Sequence, residues 1–315
     1  MSTKNKSNEI KITRIYDAPV TTVWEAWTDP DQVAKWWGPR GFSITTHSKD
    51  LRVGGHWHYT MHGPDGTDYP NKTVYFEVEE YKRLVYDHGA NDDQPALFRV
   101  TVLFKDLKGK TQMEMTMTLP TAEQAEQTKK FIKEANGNST WDRLAEYLEK
   151  EDSNDDIFVL NRSFEAPIET LFEMWTNPQH LSQWLAPTGV RMETLSGEIK
   201  EKETLFYKMT NDIDLTMFGK INYIKISKPE HLQYTNIFCT EDGEVSRHPM
   251  LNTWPEVIFS DIKFSSEPDN QTRVTVTWRP YGQVSPEELK AFIDMKSGMN
   301  QGWTGSFDKL EKYLK

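Results

Sequence analysis

Apolar residues along this chain change period in a fixed order. An extended segment near Ile10 to Tyr16 stops at Ala18-Pro19, after which Val20, Val23, Trp24 and Trp27 recur at helical spacing. Pro19 stands where a proline opens a helix, and Asp29-Pro30 breaks that helix. A second short helix is predicted to run to Trp36, where Pro39 stops it. Alternation then takes over. In "HWHYTMH", Trp57, Tyr59 and Met61 fall on one face and His56, His58 and His62 on the other. "TVYFEVEEY", "ALFRVTVLF" and "TQMEMTMTL" continue the pattern. They set Val74, Phe76 and Val78, then Phe98, Val100, Val102 and Phe104, then Met113, Met115 and Met117, each on a single face. A sheet apolar on one side needs a cover. The segment closing at Lys150 predicts it, as a long helix.

The whole succession occurs twice. "YDAPVTTVWEAWTDPDQVAKWWGPRGF", from Tyr16, falls on "FEAPIETLFEMWTNPQHLSQWLAPTGV", from Phe164, and the register holds through Tyr59 onto Tyr207 and Tyr86 onto Tyr234. Leu144, Tyr147 and Leu148 then meet Leu310, Tyr313 and Leu314, so the second copy carries an insertion between Tyr234 and Leu310. Its last helix opens on a capping box at Ser285 and Glu288 with Pro286 at the first helical position. Trp36 repeats as Trp184 whereas Trp37 becomes Leu185, which reads both as packing where a helix pair meets a sheet. The expected organisation is α+β: domain 1 over 8–150, an acidic linker over 151–156 and domain 2 over 157–315.

Composition narrows the functional classes. The 315 residues are 37% hydrophobic, 12% aromatic and 27% charged, which fits folded, soluble domains. A net charge of -11 without Lys/Arg clusters excludes a nucleic-acid partner. Neither a membrane-spanning run nor the apolar middle of a signal peptide is found, so a cytoplasmic location without membrane association is expected. Cys239, the single cysteine, reads as a small buried apolar group, and the sequons at Asn71, Asn138, Asn161 and Asn270 as chance matches.

The Ala-Pro, "DPDQVAKWWGP", "LRVGGHWHYTMHGPDG" and the terminal "WDRLAEYL" resemble the family similar to the C-terminal domain of the activator of the heat-shock-protein-90 ATPase, within the START and birch-pollen-allergen superfamily. The resemblance is close in the first copy and weaker in the second, where "GEIKEKETLFYKM" replaces the Gly-Gly strand. It implies a helix-grip fold in each copy, a curved antiparallel sheet around a long C-terminal helix, with a cavity that takes a hydrophobic ligand. It also implies a chaperone as a possible protein partner, although the different N-terminal domain of the established activator is not found. The cavity would be lined by Trp57, Tyr59, Met61, Phe76, Phe98, Met113, Met115 and Met117 in the first copy and by Leu205, Tyr207, Met209, Ile224, Val276 and Trp278 in the second.

Sharper chemistry is sparse. His56, His58 and His62 have spacing that would grip a metal, but the repeat puts Thr204, Phe206 and Thr210 there, so a solvated face is expected. Asp65 and Asp68 sit in a turn-rich hairpin rather than a pocket that would shift one pKa. Phosphate loops, His-Glu-x-x-His, cysteine pairs and nucleophile elbows are absent from the sequence. The insertion brings Arg247, His248 and Trp254 to the expected cavity mouth. The reading is a binder of a small lipophilic molecule, with no catalytic residues, cofactor or metal. The alternatives are a protein-interaction module of co-chaperone type and an enzyme of cyclase or hydrolase type.

Overall fold

The computed structural model describes residues 7–90, 95–134, 139–151 and 156–315. The chain divides into two compact units, Met1–Glu151 and Asp152–Lys315. Most of the expected linker, residues 152–155, lies outside the described residues.

Domain 1 runs β1 (Glu9–Tyr16), α1 (Val20–Thr28), α2 (Pro30–Trp36), β2 (Ser43–Lys49), β3 (His56–His62), β4 (Asp68–Glu79), β5 (Arg83–Ala90), β6 (Phe98–Asp106), β7 (Thr111–Thr118), α3 (Ala122–Glu134) and α4 (Ser139–Glu151). Its seven strands form one antiparallel sheet in the order β1-β7-β6-β5-β4-β3-β2. Domain 2 repeats the scheme with β8 (Phe158–Phe164), α5 (Ile168–Thr176), α6 (Pro178–Trp184), β9 (Arg191–Gly197), β10 (Thr204–Thr210), β11 (Thr216–Ser227) and β12 (His231–Cys239). It adds β13 (Val245–Ser246) and continues through β14 (Val257–Glu267), β15 (Gln271–Pro280), α7 (Pro286–Asp294) and α8 (Lys296–Tyr313). The sheet order is β8-β15-β14-β12-β11-β10-β9, with β13 paired to β12. Each domain is a helix-grip unit of α+β class.

The helix pair is fixed by local chemistry. Asp29 caps α2 by accepting from the backbone N–H groups of Asp31 and Gln32 at 2.9 Å, and Asn177 caps α6 by accepting from Gln179 at 3.0 Å. The prolines that follow supply the pre-set φ of a first helical turn. Trp36 and Trp184 are fully buried, and their indole N–H groups donate to the carbonyls of Ala26 at 2.9 Å and Met174 at 3.0 Å, one bond in two copies. The turn after each pair is held from the last helix. Arg143 donates to the carbonyls of Gly38, Pro39 and Phe42 at 2.8–3.1 Å, and Lys309 to those of Ala186 and Val190 at 2.9 and 3.1 Å. Trp141 lies flat on Trp27 and Trp303 on Trp175, both at 5.7 Å between centroids.

Two expectations need correction. Phe76 and Ile224 are exposed on the outer faces, and neither lines an interior. The register slips between Tyr75 and Glu77 against β5, and between Tyr223 and Lys225 against β12, so each strand carries a bulge at the same repeat position. A bulge sends two successive residues outward and inverts the alternation. Thr73 and Tyr75 therefore turn inward in place of Val74 and Phe76, and the Phe76 ring lies 4.2 Å beneath the Arg99 guanidinium. The covering helix is also in two pieces. In domain 2, α7 and α8 meet at Met295, which leaves helical geometry at φ -87°, ψ 0°. In domain 1, α3 and α4 lie on either side of residues 135–138, which are outside the described residues.

Trp36→Ala is expected to destabilise domain 1 by about 3–5 kcal/mol through the cavity it leaves. Trp36→Phe, which keeps ring bulk but frees the Ala26 carbonyl, should cost less. Chemical denaturation followed by circular dichroism measures both, and equal losses would remove the indole from its packing role.

Candidate functional site

The inner face of each sheet is the candidate site. Trp57, Tyr59, Met113, Met115 and Met117 are buried there in domain 1, and Met61 and Phe98 pack against the same core half-buried. In domain 2, Leu205 and Val276 are buried, and Tyr207, Met209 and Trp278 are half-buried against the core. Apart from Phe76 and Ile224, the residues chosen from the sequence share these two walls.

The repeat conceals a second feature. Tyr59, Tyr75 and Tyr86 on β3, β4 and β5 recur as Tyr207, Tyr223 and Tyr234 on β10, β11 and β12, and all six turn inward. Tyr75 meets Tyr86 edge-on at 6.0 Å, and Tyr223 meets Tyr234 at 5.7 Å. Burial raises the pKa of every one of the six. In each trio the phenols are close enough that one ionised hydroxyl would hold back its neighbours. Tyr59 accepts a hydrogen bond from the Trp37 indole at 3.1 Å. Gly219, opposite Tyr207, leaves space for the Tyr207 ring, since a Cβ there would lie 2.4 Å from it.

His88 continues the inward face of β5 beyond Tyr86 and stacks on Phe98 at 5.0 Å. Burial lowers its pKa to about 4, so the imidazole is neutral at physiological pH. Domain 2 places Asn236 at this position, donating to Ser260 at 2.7 Å. Further buried polar groups facing these interiors have no partner among the described residues. They are the Thr73 hydroxyl in domain 1 and the indole N–H groups of Trp175, Trp278 and Trp303 in domain 2. The three indoles are contiguous, with Trp303 at 5.7 Å from Trp175 and 5.4 Å from Trp278.

Sequence reading missed Tyr75 and Tyr223 because the bulges inverted the phase there. Tyr86 and His88 were within reach, since they follow Leu84 at the two-residue period. The outward histidines behave as solvated groups. His62, His47 and His56 pair with Thr45, Thr60 and Ser48 at 2.8–3.0 Å, and His62 also meets Asp68 at 2.6 Å. Among the described residues no three metal-binding side chains gather. The insertion turns Trp254 into the core against Phe292 of α7, while Arg247 ties the same loop to Glu288 and to the Trp254 carbonyl.

A family profile described as Activator of Hsp90 ATPase homolog 1-like protein matches residues 17–149 and 165–315. Solved structures from Nitrosomonas europaea and Staphylococcus epidermidis are each 26% identical to this chain, with a TM-score of 0.42 in both cases. The first covers 46% of this chain and 96% of its own, the second 48% and 95%. A crystal structure of the di-domain ARO/CYC BexL from the BE-7585A biosynthetic pathway covers 96% of this chain and 97% of its own at 10% identity and a TM-score of 0.39. No curated protein matches. Among the described residues no helix is long and apolar enough to cross a membrane.

Because the folded state holds His88 neutral down to about pH 4 while the unfolded chain protonates near 6.5, domain 1 should lose stability as pH falls through that window. His88→Phe should flatten this slope. Denaturation midpoints measured at several pH values for both proteins test it, and an unchanged slope would place His88 in solvent.

Proposed function

The chain belongs to the Activator of Hsp90 ATPase homolog 1-like protein family, and from that premise we propose that its two domains bind a small lipophilic molecule without transforming it, between the sheet and the covering helices. The observation that carries this reading is the set of buried donors that have no partner among the described residues and face the apolar interiors: Thr73 in one domain, Trp175, Trp278 and Trp303 in the other. A buried donor without an acceptor costs about 1–3 kcal/mol, and a ligand oxygen would remove that cost. The methionines beside them are unbranched and polarisable, which suits a wall that must fit an irregular apolar shape. The ligand that fits is mostly hydrocarbon or aromatic, with one or a few oxygen acceptors.

A second reading, proton-transfer catalysis of cyclase or hydrolase type in the same interior, has one observation in its favour: the neutral imidazole of His88 shares an inner face with the phenols of Tyr75 and Tyr86. Chaperone partnership rests on the family name alone. A soluble, cytoplasmic protein acting on a diffusible ligand is the corresponding cellular picture.

Native mass spectrometry of the purified protein beside a denatured control is expected to find one or two small molecules retained, returned chemically unchanged. A ligand supplied at about a hundredfold over its Kd should add about 2.7 kcal/mol to stability, read as a rise in Tm. A clean apo mass together with no thermal shift across lipids and aromatics would overturn the proposal, and a transformed ligand would favour the catalytic reading.

A further inference from the structure

Lys49 closes β2, the edge strand of the first sheet, and pairs across the ladder with Trp57. Directly opposed residues of an antiparallel pair project to the same face, so the lysine accompanies Trp57 inward. Its Nζ lies 4.3 Å from the centre of the Trp57 indole. Tyr59 stacks on that indole at 4.1 Å, which leaves the amine the opposite ring face. The same nitrogen donates to the Trp27 carbonyl at 3.0 Å, a group in the last turn of α1 where helical carbonyls lack partners within the helix.

From this placement we infer that Lys49 is a covalent capture site for carbonyl compounds, an amine positioned to condense with an aldehyde or ketone as an imine. The step balances without a redox partner. The nitrogen lone pair attacks the carbonyl carbon, the C=O pair moves to oxygen, and a proton passes from nitrogen to that oxygen to give a carbinolamine. The nitrogen lone pair then expels the hydroxyl, which leaves as water with the nitrogen's remaining proton, and the C=N bond forms. A neutral amine can keep one N–H on the Trp27 carbonyl and still present its lone pair. Burial, opposed by the Asp29 carboxylate, lowers Lys49 to about 7, so a large share of the amine is neutral under physiological conditions. Trp57, itself buried, supplies an apolar surface for the hydrocarbon part of a captured molecule.

Two comparisons within the chain sharpen the assignment. Lys309, also lowered by burial, spends its donors on two carbonyls, those of Ala186 and Val190, and serves as a clamp. The repeat puts Gly197 where domain 1 has Lys49. With φ +97° and a would-be Cβ only 1.8 Å from the Thr204 carbonyl oxygen, that position has no space for a side chain. Carbonyl capture is therefore assigned to domain 1 alone. The amine's placement stands on its own contacts with Trp57 and the Trp27 carbonyl, whereas a preference for long-chain carbonyls rests on the interior-ligand reading above.

The test uses the full chain with limiting propanal or nonanal and cyanoborohydride near neutral pH, followed by peptide mapping of every lysine. Lys49 is expected to be labelled about tenfold or more faster than the exposed Lys11 and Lys105, following its larger neutral fraction, with nonanal preferred. In Lys49→Arg that adduct should vanish while the others persist. Labelling of Lys49 at or below the rate of Lys11 with both aldehydes overturns the inference. Fast labelling by propanal but not nonanal upholds the amine site and counts against a lipophilic ligand in the interior.

Discussion

Each domain depends on one buried indole. Trp36 and Trp184 fill the angle between their two short helices and bond to a carbonyl of the preceding helix. An indole brings some of the largest apolar area of any side chain, and its N–H must find an acceptor once buried. Because that acceptor is a backbone group ten residues earlier, the contact fixes the orientation of both helices. The cap at Asp29 or Asn177 and the clamp from Arg143 or Lys309 then hold the chain where it re-enters the sheet. The inner wall thus sits on a frame that side chains farther along the strands do not need to support.

That frame explains why the walls tolerate polar groups. Arg143 and Lys309 donate to carbonyls of the turn after each helix pair, and the hydroxyls of Thr111 and Thr272 donate to the carbonyls of Ala18 and Ala166 at 2.8 Å. With these boundary groups satisfied, phenols and an imidazole on the strands, and indole N–H groups on strand and helices, can be carried in the interior without loss of the fold. The two copies use this latitude differently. Domain 1 places His88 and Thr73 on the wall, whereas domain 2 places Asn236 bonded to Ser260 and three partnerless indoles.

The fold was readable because its signals are local. Proline positions, helical spacing up to Trp27 and strict alternation from Trp57 to Met61 each name an element without knowledge of the rest. Duplication made each reading checkable. The site was less readable for a physical reason. A bulge at Tyr75 and Tyr223 depends on pairing with the next strand, so nothing in "TVYFEVEEY" reveals that its phase inverts, and the alternation that would turn Phe76 inward fails there. Lys49 sits in "SITTHSK", a stretch without an apolar stripe, and only its cross-strand partner shows which way it points. The split of the covering helix at Met295 was equally hidden, because the apolar spacing continues across it.

Gly197 also bears on how the two copies can diverge. A left-handed backbone pressed against the Thr204 carbonyl accepts no β-carbon, so substitution at that residue by itself cannot install an amine in domain 2. Domain 1 can lose its lysine by a single base change, but domain 2 would first have to reshape the end of β9. Duplication usually leaves two copies free to exchange roles. Here a single backbone torsion makes the specialisation one-way.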